Sequence, residues 1–282
     1  MMKQILTKIK EDANLVSKVL SDALGETDPD LELVFKSMRY SALETAGKRV
    51  RPFLTVEVAR ALGGSDEAAL PLAAAVEAVH TYSLIHDDLP CMDDDDERRG
   101  MPSNHKVYGE ATALLAGDGL LTLAFSVITE SDALTDNQKV NAVKLLSHFA
   151  GARGMIGGQQ IDLLGEKIKL TELQHKKMNL LKTGALIKAA ALMGCIAADA
   201  DTSTYECIEK YAECIGLAFQ VKDDNLDIGE EDEKTTYLTF MSKADAEALV
   251  NELTEKAVKA VAPIPNSEVL KDTAEFLRDR TV

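Results

Sequence analysis

The chain has no tryptophan, and aromatic residues make up only 5% of its 282 positions. A sequence poor in aromatics and rich in Ala and Leu disfavours sheet and favours helix. Cysteines number four, Cys91, Cys195, Cys207 and Cys214, with no C-x-x-C pair and no His at zinc spacing. This excludes a disulfide framework and a thiolate zinc site, and reads as reduced, mostly buried thiols of a cytoplasmic protein. No stretch of about 18 uncharged apolar residues occurs, so no membrane span is expected. The start, MMKQILTKIKEDANLV, is charged and amphipathic, unlike a signal peptide. Positive charge is also scarce. Against 47 Asp and Glu stand 31 Lys and Arg, a net charge of −16, which argues against general nucleic-acid or anionic-membrane binding.

What is present is helical periodicity. Ile5, Leu6, Ile9, Ala13, Val16, Val19, Leu20 and Ala23 form one stripe over residues 3–24, which Gly25 ends. A second helix is expected over 31–46. Pro52 suits the first turn of a third, which ends at Gly63-Gly64. A long Ala-rich helix covers 66–89, and Pro90 disfavours helical geometry at its end. Further helices read over 110–130, 136–150, 171–181, 185–197, 204 to about 227, and 242–261. Pro263 and Pro265 then break the chain before a last helix that ends near 280. With no repeat or linker, the expectation is one all-α domain over 1–282.

Two acidic clusters stand out against apolar flanks: HDDLPCMDDDDERRG at 86–100 and FQVKDDNLD at 219–227. The first holds seven carboxylates between Asp87 and Glu97. Both fall near expected helix C-termini, where the macrodipole disfavours negative charge. Like charges at helical spacing repel by roughly 0.2–0.5 kcal/mol per exposed pair, and by more where water is excluded. Divalent cations would offset that cost, and oxygen-only donors suit a hard ion such as Mg2+. Asp223 and Asp227 lie one helical turn apart and share a face. An EF-hand register over Asp223, Asn225 and Asp227 fails, because Ile228 and Lys234 stand where Gly and Glu are required. Cations gather at few places: GKRVRP at 47–52, Arg98-Arg99, and Lys182-Thr183-Gly184 ahead of a helix. Acidic clusters beside such patches point to a polyphosphate gripped by metal on one side and by Lys and Arg on the other.

Taken together, GKRVRP at 47–52, HTYSLIHDDLPCMDDDDERRG at 80–100, GEATALLAGDGLL at 109–121, GGQQIDL at 157–163, KTGALI at 182–187 and GLAFQVKDDNLD at 216–227 resemble the trans-isoprenyl diphosphate synthases. The resemblance implies an all-helical bundle around a deep apolar cavity, three Mg2+ ions and a homodimer acting on small diphosphates. It implies that Asp87, Asp88 and Asp93, with Asp223, Asp224 and Asp227, hold the metal. Arg98, Lys182 and Lys234 would contact the allylic diphosphate. Lys48, Arg51, His80 and Arg99 would take isopentenyl diphosphate. Lys182, Thr183 and Gln220 would line the reacting allyl group. Tyr82 and Ser83, five and four residues before Asp87, would form the cavity floor. With Pro90-Cys91 inside the motif, they resemble the short-chain bacterial pattern and a farnesyl product.

A geranylgeranyl synthase and a non-catalytic subunit of a heteromeric synthase are the alternatives; the second usually loses aspartates that this chain keeps. A terpene cyclase fits less well, since its second metal motif mixes Asn, Ser and Glu and it needs no isopentenyl site. The chain departs from the family at Asn225, where an aliphatic residue is usual, and at 228–234, where the family has a longer segment with an extra Lys before a KSTYP-like run.

Overall fold

The computed structural model describes residues 2–45, 47–226 and 235–280. Helices α1 (Met2–Leu24), α2 (Glu32–Arg39), α3 (Val50–Ala61) and α4 (Asp66–Asp87) come first. A two-stranded hairpin, β1 (Glu97–Arg98) against β2 (Met101–Pro102), and a one-turn helix α5 (Asn104–Tyr108) lead into α6 (Glu110–Thr129). Then come α7 (Asp136–Ala150), α8 (Met155–Gly165), α9 (Glu172–Asn179), α10 (Ala185–Ala197), α11 (Thr202–Leu226), α12 (Lys243–Val261) and α13 (Glu268–Asp279).

Local chemistry sets several helix starts. Ser65 accepts from the Ala68 amide to cap α4, while Thr135/Gln138 and Thr171/Gln174 form capping boxes on α7 and α9. Helices α4 and α10 are buried nearly all round by small residues, which lets α3, α6, α7 and α11 approach them closely. The main apolar cluster takes residues from Val16 to Leu277, so both ends of the chain close on one core.

Four differences from the sequence expectation have physical causes. The helix expected over 31–46 changes pitch at Tyr40 into a π-helical turn (Tyr40–Glu44), and Leu180–Gly184 is a second such turn between α9 and α10. Helix α8 was not anticipated; glycine is a poor helix former, and α8 carries Gly157, Gly158 and Gly165. Cys91 is exposed and Cys207 and Cys214 are half-buried, so only Cys195 meets the expectation of burial, which lifts its thiol to about 12. Finally, three helical segments are long and apolar enough to cross a membrane: Asp66–Asp87, Glu110–Thr129 and Glu172–Ala197. Their content is Ala and Gly spread among isolated charges, which a search for unbroken apolar runs passes over. The first and third bury 72% and 61% of that stretch inside the fold, whereas α6 buries only 33%.

Candidate active site

Two cavities open side by side in the bundle and share Arg51 and His80. The first, about 660 Å³, is cationic. Lys48, Arg49 and Arg51 come from the start of α3, His80 from α4, Arg99 from the hairpin and Arg280 from the end of α13. Arg51 Nη1 donates to His80 Nε2 at 3.3 Å. Burial and then the nearby guanidinium groups hold His80 well below its usual 6.5, so the ring is neutral and carries its proton on Nδ1. The Nε atoms of Arg51 and Arg280 have no hydrogen-bond partner among the described residues. Arg99 packs flat on Gly47, where a Cβ would lie 2.3 Å from its guanidinium carbon. A side chain at position 47 would displace the Arg99 guanidinium from this place.

The second cavity, about 580 Å³, is mainly apolar. Tyr82 and Ser83 of α4, Leu114 and Leu121 of α6, and Met155, Ile156 and Leu163 of α8 line it together with Asp87, Lys182 and Thr183. The Tyr82 ring stands edge-on to His86 at 5.7 Å between centroids, and its hydroxyl is buried without a partner among the described residues. Lys182 and Thr183 sit on the second π-helical turn, where widened pitch redirects side chains at functional sites. Gly158 permits this, since a Cβ there would lie 2.1 Å from the Lys182 backbone nitrogen. Lys182 is ion-paired with Asp162 of α8.

The expected metal ligands fall in two places. Asp87 closes α4 and Asp88 follows it. Burial raises the Asp87 carboxyl to about 6, with Lys182 pulling it back and Asp93 adding repulsion. Burial raises Asp88 too, opposed by hydrogen bonds from Arg98, whose Nε lies 2.9 Å away. Asp93 donates its backbone N–H to the Asp87 carbonyl at 2.9 Å, which folds the motif back on itself. On α11, Asp223 is ion-paired with Arg280, and Asp224 accepts from the Tyr237 amide at 2.6 Å. Gln220 is buried on the same helix. Asn225 is buried as well, and its amide finds no partner among the described residues. Asp227 and Lys234 lie outside the described residues. The acidic side chains that come within 4.8 Å of one another together with an imidazole are Asp94 and Asp96, beside His105. There the Lys106 ammonium already pairs with Asp96.

Sequence reasoning missed Arg280, Asp162 and Glu77. Asp162 lay in the GGQQIDL motif, whereas Arg280 and Glu77 carried no signal of their own. Arg280 stacks 3.9 Å above the Phe219 ring and donates to the Phe219 carbonyl at 2.9 Å.

A family model described as polyprenyl synthetase matches residues 32–239. The chain is 45% identical to the large subunit 1 of a heterodimeric geranylgeranyl pyrophosphate synthase of Arabidopsis thaliana, over 80% of this chain and 61% of that protein. The match therefore spans under two thirds of the plant relative's length. It is 46% identical to a farnesyl diphosphate synthase of Geobacillus stearothermophilus, over 80% of this chain and 76% of the relative. The fold superposes on the apo crystal structure of an FPP/GFPP synthase from Zymomonas mobilis with a TM-score of 0.93, at 33% identity, covering 99% of this chain and 100% of that one.

Proposed function

The chain belongs to the polyprenyl synthetase family, and on that premise we propose that it makes farnesyl diphosphate by adding isopentenyl diphosphate head-to-tail to dimethylallyl and then geranyl diphosphate. One observation carries the reading: a cationic cavity and an apolar cavity meet at Arg51 and His80. The cationic one, with Lys48, Arg51 and Arg99, suits the diphosphate of isopentenyl diphosphate. The apolar one suits the growing prenyl tail, while Asp87 and Lys182 lie where the allylic diphosphate would sit.

Asp87, Asp88 and Asp93, with Asp223, Asp224 and Asp227, offer only carboxylate oxygens and would hold the metal. Burial first, and then repulsion from Asp93, raises the Asp87 carboxyl, a cost that a bound cation would offset. Both features fit Mg2+, as three ions, which would supply the positive charge that stabilises a leaving diphosphate. Lys182, released from Asp162, adds its own charge to that diphosphate, as does Arg98. The allylic C–O bond breaks and its electron pair leaves with the diphosphate. The Lys182 carbonyl, the Thr183 hydroxyl and the Gln220 amide oxygen offer dipoles to the allylic cation, and the apolar wall keeps water away. The isopentenyl double bond attacks, forming the new C–C bond. A proton then passes to the departed diphosphate and restores a double bond. His80, held neutral among guanidinium groups, accepts from Arg51 and fixes that side chain; it is no base here.

Tyr82 at the floor favours the farnesyl product over geranylgeranyl diphosphate. The poorly buried α6 supports a homodimer, since Leu114 and Leu115 stand 46% and 58% exposed in one protomer. We read the chain as one functional domain, acting in the cytoplasm, consistent with its four free thiols.

The test is product analysis of purified protein with dimethylallyl and isopentenyl diphosphates, with and without Mg2+. Farnesol after phosphatase treatment, only with Mg2+, is the expected result. Geranylgeraniol would keep the reaction class and reject Tyr82 as the floor. An absence of condensation would reject the reading in favour of a non-catalytic subunit.

A further inference from the structure

The three cations of GKRVRP divide into two roles. Lys48 is exposed and Arg51 lines both cavities. Arg49 between them also reaches the wall of the cationic cavity, but its guanidinium is engaged by protein groups. Its side chain and that of Glu77 are each 2% exposed, and the two form an ion pair at 3.1 Å. Arg49 also donates to the carbonyl of Ala42, in the π-helical turn that follows α2. The Arg49 backbone is left-handed, at φ 52° and ψ 42°. That conformation is strained for a residue with a Cβ and persists only where surrounding structure enforces it. The chain adopts it at Arg49 although Gly47 is only two residues away.

The left-handed residue is the N-cap of α3, and Lys48 before it and Arg51 after it line one cavity. Glu77 lies one helical turn before His80 on α4, so the face that presents His80 also holds the Arg49 tether. Arg99, likewise left-handed at φ 57°, completes the ring of cations around the Glu77 carboxylate. Burial raises that carboxyl while Arg49, Arg51 and Arg99 pull it down.

We propose that Glu77 and Arg49 are positioning residues for the diphosphate of the isopentenyl substrate: their buried pair locks the left-handed turn that aims Lys48 and Arg51 into one anion site. The proposal rests on the condensation reading above. Neither residue need touch substrate. Their loss should act on binding of one substrate and leave the other nearly unchanged.

The experiment compares wild type, Glu77→Gln, Arg49→Met and the double variant Arg49→Met/Glu77→Met. For each, KM is measured separately for isopentenyl and dimethylallyl diphosphates, with kcat and Tm. Each single variant should raise the isopentenyl diphosphate KM by about tenfold or more, because small misplacements of binding groups are costly. The KM for dimethylallyl diphosphate should stay within about twofold, and Tm should fall because a buried ion pair is broken and one of its charges kept. The double variant should recover Tm, since an apolar pair can replace a buried ion pair, yet keep the raised isopentenyl KM. Recovery of both together would reduce the pair to a structural role and overturn the proposal. So would an equal rise in both KM values. If the single variants do not fold, the double variant alone decides. An inactive wild type would overturn the condensation reading and this proposal with it; an active wild type with an unsplit KM overturns this proposal alone.

Discussion

Asp12 on α1 offers a stability prediction with a definite sign. Its carboxylate is 1% exposed and shares the Arg60 guanidinium with Glu57 and Asp66. Arg60 Nη1 reaches Asp12 at 2.8 Å and Glu57 at 2.6 Å, while the Oδ2 atom of Asp12 has no partner among the described residues. Arg60 therefore serves three carboxylates, two of them buried, with Lys8 reaching Glu57 at 3.5 Å. Burial lifts the Asp12 carboxyl from 3.8 to about 6, against the pull of Arg60 and with added repulsion from Glu57. The folded state thus holds this proton to higher pH than the unfolded chain does. The stability that depends on it is present below pH 4 and is lost as pH rises to about 6. At about 1.4 kcal/mol per pH unit, the gap corresponds to about 3 kcal/mol. Asp12→Asn keeps the shape and the acceptor for Arg60 but removes the charge. It should stabilise the protein at pH 8 by up to about 3 kcal/mol, or roughly 6 °C in Tm for a chain of this size. The gain should shrink towards zero near pH 4. Thermal unfolding of both proteins at pH 4, 5.5 and 8 reads it. A lower Tm for Asp12→Asn at pH 8 would mean that the Asp12–Arg60 attraction outweighs the burial cost. A gain of equal size at every pH would refute the protonation argument.

Three further outcomes follow from the site and the surface. On the proposed reading of Tyr82 as the floor of the apolar cavity it lines, Tyr82→Ala should lengthen the product from fifteen to twenty carbons; an unchanged chain length by chromatography places the floor elsewhere. Gly158→Ala would set a Cβ 2.1 Å from the Lys182 backbone nitrogen. Overpacking of this kind costs about 1–3 kcal/mol, so Tm should drop, and kcat should drop with it as the turn bearing Lys182 and Thr183 shifts. Leu115→Glu, on the exposed face of α6, should convert the proposed dimer to a monomer in sedimentation without unfolding it; an unchanged species would exclude that face as the interface.

Much of the helical scaffold was legible. The stripe of α1, the Pro90 stop after α4 and the Pro263/Pro265 break each follow from local rules, and the observed ends lie within a few residues of the expected ones. The acidic motifs were visible because carboxylates crowded among apolar residues have few purely structural uses. Helix α8 was hidden for the opposite reason. Glycine is a poor helix former, yet Gly158 is what lets α8 lie against the backbone of the turn that bears Lys182. The two π-helical turns left no trace in periodicity, because a single widened turn shifts phase by less than the scatter of the apolar pattern.

The sequence by itself determined the class of the fold, the places where helices begin and end, and the residue types available for binding a metal and a diphosphate. These depend on propensity, capping and periodicity, which act over a few residues. Only the tertiary structure decided which of those groups meet. It paired Arg49 with the buried Glu77 at the wall of the cavity that Lys48 and Arg51 also line. It brought Arg280 from the last helix onto Asp223, and Asp162 onto Lys182. Such pairings join residues 20 to 57 positions apart. They are set by the packing of whole helices around a shared core, a balance of burial and charge that no local pattern records.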